Sequence, residues 1–390
     1  MDSIFSGRLS RKPHFRTSVI SFAGVAILVV SFLFVFGIPK RLSGAIYNSR
    51  LVTWSRLRDL ASLEPIDVHV HLDGTGPAFA LLLNDLRMNV LDILYVDDKS
   101  ENRHAMEPQR HDALNLIASI GNRVKLCTSF TPFSFQDPAF TEDTIRALDQ
   151  DFANGAIAVK IWKNIGMELQ SAPGKYVMPD DAAFAPLYRN IAAHHKTLIA
   201  HIADPDEAWG RKDQYSNYYS LYPEWDMVKV EGAPRKADIL QARDHVLAAN
   251  PDLLVIGAHL GSLADHLDQL ASLFDRYPNF AVDTSGRILH LMTQPRDEVR
   301  QFLIKNQDRI LYGTDLYIPP GQEDRTTARA FRSKYLLDWR CYATSDRFTF
   351  HGHTVQGLNL PAVVLEKLYR KNAVHWLPGI VASAHSASQM

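Results

Sequence analysis

Eight short apolar runs, near 66–71, 90–96, 124–130, 156–162, 197–202, 253–259, 280–285 and 309–315, constrain this chain most. Between most of them lie longer stretches with helical periodicity, such as Pro77–Met88, Ala183–His194 and Leu263–Tyr277. Strand-length runs alternating with helix-length ones imply βαβ units and a parallel sheet. Eight of them predict a closed (β/α)8 barrel, an α/β TIM-type fold. A doubly wound open sheet is the alternative, but no G-x-G-x-x-G or P-loop follows the first run.

The longest interruption runs from about Ala203 to Pro251 and contains AWGRKDQYSNYYSLYPEW, rich in Tyr and Trp. It follows a strand's C-terminal end, so it should lie over the barrel mouth, where such folds place their active sites. Trp209, Tyr218, Tyr219 and Trp225 are candidates for an apolar lid or for packing of the insertion itself. A second irregular stretch, from Ile318 to about Phe350, should cover the same face.

From Val19 to Ile38 the chain reads VISFAGVAILVVSFLFVFGI, without a charge. At 1.5 Å per residue, twenty residues span roughly 30 Å, the hydrocarbon thickness of a bilayer. Arg8, Arg11, Lys12 and Arg16 precede it, while only Lys40 and Arg41 follow closely. That asymmetry favours a cytoplasmic N-terminus and an exported, periplasmic or extracytoplasmic, C-terminal domain. A cleaved signal peptide is the rival; its apolar core should be shorter and end in a small-residue site. The expected organisation is a tail (1–18), a transmembrane signal anchor (19–38), a juxtamembrane helix or linker (39–63), the barrel (64–380) and a C-terminal tail (381–390).

Net charge is -1, with 42 basic and 43 acidic residues mixed along the chain. No basic stripe with interleaved aromatics is present, which argues against nucleic acid as a partner. Cys127 and Cys341 are the only cysteines, so a thiolate zinc site is excluded and one bridge is the most they could form. Any metal here must use His and carboxylate.

The first run, Ile66-Asp67-Val68-His69-Val70-His71, alternates polar and apolar residues. Alternate side chains of a strand share a face, which would put Asp67, His69 and His71 inside the barrel and the apolar set outside. His201 ends the fifth run, His259 the sixth and Asp315 the eighth; Lys160 lies near the end of the fourth. Singly, each has an ordinary structural role open to it. Together, polar residues at successive strand ends read as a catalytic face.

With these residues in view, the chain resembles the amidohydrolase superfamily, and more closely its amidohydrolase-related branch of metal-dependent hydrolases and decarboxylases. The motifs that carry the resemblance are IDVHVHL (66–72), HIADP (201–205), AHLG (258–261), RYPNFAVDTSGR (276–287) and YGTDLY (312–317). The resemblance implies a metal held by His69, His71, His201 and Asp315. It implies that His259 either binds a second metal or acts as a base and oxyanion partner. In two-metal members a carboxylated lysine on the fourth strand bridges the ions, and Lys160 occupies that strand; one-metal members leave it unmodified. The donor set suits Zn2+, with Mn2+, Fe2+ or Co2+ as alternatives, and one or two ions.

A Lewis-acidic ion with an open position lowers the pKa of bound water to about 7 and polarises a carbonyl. Asp315 is placed to move the proton of that water to a leaving group, and His259 to steady an oxyanion. Trp162, Lys163, Arg287 and Tyr317 are the expected substrate contacts. Lys163 and Arg287, with Arg243 in reach, would favour a carboxylate-bearing small molecule. The competing assignment pairs Lys163 and Arg287 with Asp283, Glu168 or Asp204 in structural ion pairs. His104, Arg103 and Arg110 read as a solvated loop, and His194, His195, His245 and His266 as surface or packing residues on helices. Hydrolysis of an amide, ester or lactone is the leading expectation. Non-oxidative decarboxylation and a catalytically inactive, membrane-tethered binding protein are the alternatives. A homo-oligomer stays open, as no interface is legible.

Overall fold

The computed structural model describes residues 56–73, 76–96, 106–210, 219–220, 222–318 and 321–381. The transmembrane segment expected at 19–38 lies outside the described residues. Among those described, no helix is long and apolar enough to cross a membrane.

The eight runs form β1 (Ile66–Leu72), β2 (Asn89–Ile93), β3 (Val124–Ser129), β4 (Ala158–Ile161), β5 (Thr197–Ala200), β6 (Val255–Gly257), β7 (Phe280–Asp283) and β8 (Ile310–Leu311). Each pairs in parallel with its successor. The eighth run is interrupted: β8 pairs with β7, and after Tyr312–Asp315 the chain resumes as β9 (Leu316–Ile318), which pairs in parallel with β1. The Val68 N–H donates to Tyr312 O at 3.0 Å and the Asp315 N–H to His69 O at 2.8 Å. The two halves of one strand therefore close the ring, and the open-sheet alternative falls away.

Helices follow the strands: α1 (Pro77–Asp85), α2 (Met106–Ile120), α3 (Phe140–Ala153), α4 (Ala185–Ala193), α5 (Lys236–Ala249), α6 (Leu267–Arg276), α7 (Arg296–Lys305) and α8 (Asp324–Ala343). Their apolar residues recur on one face, as Leu270, Leu273 and Phe274 do in α6. Two of them revise the expected loops. Most of the stretch from Ile318 to Phe350 is the 20-residue α8, whose Phe331 packs edge-on against Phe79 of α1 at 4.9 Å between ring centroids. The Asp324 carboxylate accepts the N–H groups of Gly76, Ala78 and Phe79, which caps α1 from a distant part of the chain. The insertion after β5 likewise contains α5, preceded by short 3-10 turns at Asp206–Trp209 and Pro223–Trp225.

Every barrel strand contributes to one interior cluster, which includes Ile66, Val68, Leu91, Ile93, Ala158, Ile199, Ile256, Ala281 and Leu311. Trp376, Leu377 and Ile380 floor it. Thr197 Oγ1 donates to Trp376 O at 2.6 Å and Asn372 Nδ2 to Ile310 O at 2.7 Å, which fixes that floor at the strands' N-terminal ends. The opposite, C-terminal end is left for chemistry.

The expected face of Asp67 is corrected here. Asp67 lies opposite Val90 but Val70 opposite Asp92, so β1 slips one residue against β2 between them. A bulge of this kind changes which side chains face the core. Ile66 and Val68 consequently lie inside, whereas Asp67 accepts hydrogen bonds from Thr314 and from Tyr335 of α8. At the N-terminal side of the barrel, residues 56–62 are helical, with Leu57 and Leu60 buried. Both cysteines are buried and unbridged.

Candidate metal centre

After the bulge, β1 delivers His69 and His71 to the barrel mouth, where the irregular segment Tyr312–Asp315 between β8 and β9 presents Asp315. His69 Nε2 lies 3.5 Å and His71 Nε2 3.6 Å from Asp315 Oδ1. One donor atom from each of the three lies within 4.8 Å of the others. The Nδ1 atoms are committed elsewhere. His69 Nδ1 meets Asp283 Oδ2 at 2.8 Å and His71 Nδ1 meets Ile93 O at 2.7 Å. Because these partners accept, each Nδ1 carries the proton and each Nε2 presents a lone pair.

His201, at the end of β5, is held the other way round. Its Nε2 faces Asp204 Oδ1 at 3.1 Å, while its buried Nδ1 has no hydrogen-bond partner among the described residues. An unpartnered lone pair in a buried site is costly unless something coordinates it. Its ring centroid is 4.3 Å from that of His259. His259 Nδ1 donates to Ser285 O at 2.9 Å, and its backbone N–H donates to Asp283 Oδ1 at 2.9 Å. The chain takes a left-handed turn here, with φ of 59° at His259, 58° at Leu260 and 62° at Ser262. Asp315 and Ala203 share that backbone region, at 63° and 64°. Such conformations cost about 1–3 kcal/mol each and collect at functional sites.

Lys160 is fully buried, with Nζ 3.1 Å from His69 Nε2. Burial brings its pKa down to about 8, against the pull of Asp283 and Asp315. Burial also lowers His69, takes His201 down to about 4 and sets His259 well below the ordinary imidazole range. Burial thus favours the neutral form of each ring, which is the form that binds metal. Burial works to raise Asp315, yet the surrounding His259, His71 and His69 hold its carboxyl well below the usual range. His69 Nε2, which Lys160 Nζ also approaches, and His71 Nε2 form with the ionised Asp315 a donor set that fits a divalent ion, and His201 stands outside that group of three, its ring against His259.

The mouth residues divide. Trp162 lies between His71 and His201, at 5.6 and 6.1 Å between centroids, and its buried Nε1 has no partner among the described residues. Lys163 is taken by structure: its Nζ sits 2.7 Å from Asp204 Oδ2 and 4.2 Å from the Trp225 ring centroid. Arg287 does not pair with Asp283, whose oxygens go to His69, His259 and Ser285. Its Nη1 donates to Gly286 O at 3.0 Å, and its buried Nε has no partner among the described residues. Tyr317 donates to Asp73 Oδ2 at 2.9 Å, and Tyr95 reaches the same oxygen at 3.2 Å.

Arg243 is spent on the turn after β6 that carries His259. It is buried on α5, donates to Gly261 O at 2.9 Å and lies over the Phe280 ring. Arg110 is likewise not a solvated loop residue, since it sits on α2 and pairs with Asp151 at 2.9 Å. His194, His245 and His266 pair with Asp149, Asp180 and Asp206 away from the centre. Trp225 and Tyr219 are buried in the insertion, and Trp209 Nε1 donates to Pro234 O. Arg103, His104 and Tyr218 lie outside the described residues. The pairing of Lys163 with Asp204 is one of the alternatives the sequence offers, and the structure adopts it. Asp283, expected only as a partner for Lys163 or Arg287, instead holds His69 and His259, and its place at the end of β7 is the signal for that role. Asp204 also faces His201, three residues away in HIADP.

Among curated protein sequences none matches this chain. Among solved structures it is similar to an uncharacterised TIM-barrel protein from Bordetella bronchiseptica, at 13% identity over 86% of this chain and 93% of that one, with a TM-score of 0.48. It is similar to 2,6-dihydroxybenzoate decarboxylase from Rhizobium at 14% identity, 80% and 98% coverage and a TM-score of 0.46. A dihydroorotase from Campylobacter jejuni follows at 10% identity, 80% and 82% coverage and a TM-score of 0.42. Likenesses this distant say nothing about the reaction. A family model described as Amidohydrolase matches residues 66–379, nearly the whole barrel. The chain belongs to the amidohydrolase family.

Proposed function

We infer that this protein is a metal-dependent hydrolase acting on an amide, ester or lactone bond of a small carboxylate-bearing molecule. The observation that carries this reading is the convergence of His69 Nε2 and His71 Nε2 on Asp315 Oδ1, at 3.5 and 3.6 Å. His69, His71, His201 and Asp315 would hold the ion, with Zn2+ the best match to an imidazole and carboxylate set. Bound there, it supplies Lewis acidity toward a carbonyl and toward water.

The chain's own groups supply the rest. Asp315 offers two oxygens: Oδ1 faces the two imidazoles, and Oδ2 lies 3.9 Å from His259 Nδ1, open to a proton from the attacking water. Its lowered pKa leaves it ionised, the form that can accept a proton, though as a weak base, so the water's acidity would have to come from the ion. His259 donates through Nδ1 to Ser285 O, so its Nε2 is bare. That suits a hydrogen-bond acceptor or a ligand to a second ion. Steadying an oxyanion would need a second proton on the ring, which burial opposes. Arg287 is the anchor for the substrate carboxylate, and Trp162 and Tyr317 flank the bound molecule. Residues 19–38 would tether the barrel to a membrane on its exported side.

Metal analysis and product analysis test this together. The metal-loaded protein is offered N-acyl amino acids, lactones and aromatic carboxylates, and products are separated by mass. A new carboxylate with one added water supports hydrolysis. Carbon dioxide release makes the protein a decarboxylase on the same scaffold. Protein that holds no ion after loading with Zn2+ or Mn2+, or that turns over none of the substrates, contradicts the hydrolase reading.

A further inference from the structure

A second group of donors stands on the same rim. Glu207, Asp265 and His290 each place one ligating atom within 4.8 Å of the others. They arrive on three successive connections. Glu207 lies in the 3-10 turn after β5, Asp265 beyond the left-handed turn after β6, and His290 in the short helix Ile288–Thr293 after β7. Their side chains are 1%, 10% and 1% exposed, respectively, so water reaches little of the cluster.

The spacing suits an ion. His290 Nε2 lies 3.2 Å from Glu207 Oε1 and 3.9 Å from Asp265 Oδ2. Ligands bound at about 2.1 Å to one centre stand about 3–4 Å from each other. A separate observation points the same way: Glu207 Oε2 is buried and has no hydrogen-bond partner among the described residues. A carboxylate oxygen stripped of water and left without a donor is destabilising. A divalent cation removes that penalty. No residue of this group belongs to the His69, His71 and Asp315 centre.

We propose that Glu207, Asp265 and His290 form a second divalent-cation site, for Zn2+ or Mn2+, which ties together the loops after β5, β6 and β7. The ion is a clamp and takes no part in bond making. His290 lies three residues beyond Arg287, so the clamp also steadies the loop that carries the expected carboxylate anchor. This site stands independently of the reaction assigned above.

The test is metal content of the full-length chain, stripped with chelator, reloaded with Zn2+ or Mn2+, and measured by plasma mass spectrometry. Wild type should carry one more ion per chain than Glu207→Gln. A variant with His69→Ala and His71→Ala should keep that ion while losing metal from the first centre. Equal metal in wild type and a folded Glu207→Gln overturns the proposal, whatever the first centre holds. Should Glu207→Gln fail to fold, anomalous scattering from zinc-loaded wild-type crystals reads the same point without a substitution. A peak among the three side chains supports the clamp. A cluster with no anomalous peak, held together by direct ion pairs alone, rules it out.

Discussion

Asp283 Oδ2 sits 2.8 Å from His69 Nδ1 at a point where neither residue is exposed, while the same carboxylate's Oδ1 takes the backbone N–H of His259. One buried carboxylate thus fixes the tautomer of one candidate ligand and the strained backbone of another. Burial works to raise Asp283, but His69 and His259 keep it ionised.

Replacing that acceptor should therefore be felt at the metal. In Asp283→Asn the amide can donate to His69 Nδ1, which drives the ring proton onto Nε2 and blocks the lone pair. Metal affinity should fall by about 10–100-fold, the usual cost of losing such a partner. Competition with a calibrated chelator measures it; unchanged affinity would mean that Asp283 does not set the His69 tautomer.

Asp315→Asn should leave the barrel folded and remove turnover, by on the order of 10²–10⁴ for the lost base alone. Circular dichroism checks the fold and steady-state rates check the chemistry. A near-normal rate would end the assignment of Asp315 as base.

Arg287→Ala should raise KM about 10–100-fold for a carboxylate substrate with little change in kcat, since a charge-assisted hydrogen bond contributes roughly 1.5–3 kcal/mol. The same substrate as a neutral methyl amide should bind wild type and variant alike. An equal loss for both substrates would mean that Arg287 holds the loop and not the ligand.

Asp92 offers a test that needs no substrate. Its Oδ1 accepts the Leu72 N–H, its Oδ2 is buried without a partner among the described residues, and burial pushes its pKa up to about 8. A carboxyl raised above its unfolded value of 3.8 favours the fold while protonated, so its contribution is complete below pH 3.8 and is lost as pH rises toward 8. Across that window Asp92 should lower stability by roughly 1 kcal/mol per pH unit. In Asp92→Asn the slope should flatten by that amount in urea titrations at stepped pH. Parallel curves for the two proteins would show that Asp92 does not titrate there.

Residues 19–38 predict where the protein is found. The full chain should sediment with membranes and need detergent for release, whereas a chain beginning at Ile46 should stay in the supernatant. Alkaline carbonate extraction separates the outcomes: release of the full chain without detergent would reject a spanning anchor.

How much of this was legible beforehand follows from the range of the physics involved. The alternation of strand-length and helix-length segments is local, and it placed His201, His259, Asp315 and Lys160 at strand ends correctly. The residue types at those ends were legible for the same reason, since they need no partner to be read. Relations between segments were not. The slip of β1 against β2 that turns Asp67 toward α8 depends on pairing across strands. The hold of Asp283 on His69 joins residues 214 apart, and the choice of Asp204 over Asp283 or Glu168 for Lys163 needed residues 41 apart to be packed together. Periodicity along a chain determines which residues can reach the barrel mouth. Which nitrogen each histidine turns inward, and which cation remains for a ligand, is decided only when distant acceptors are packed beside them.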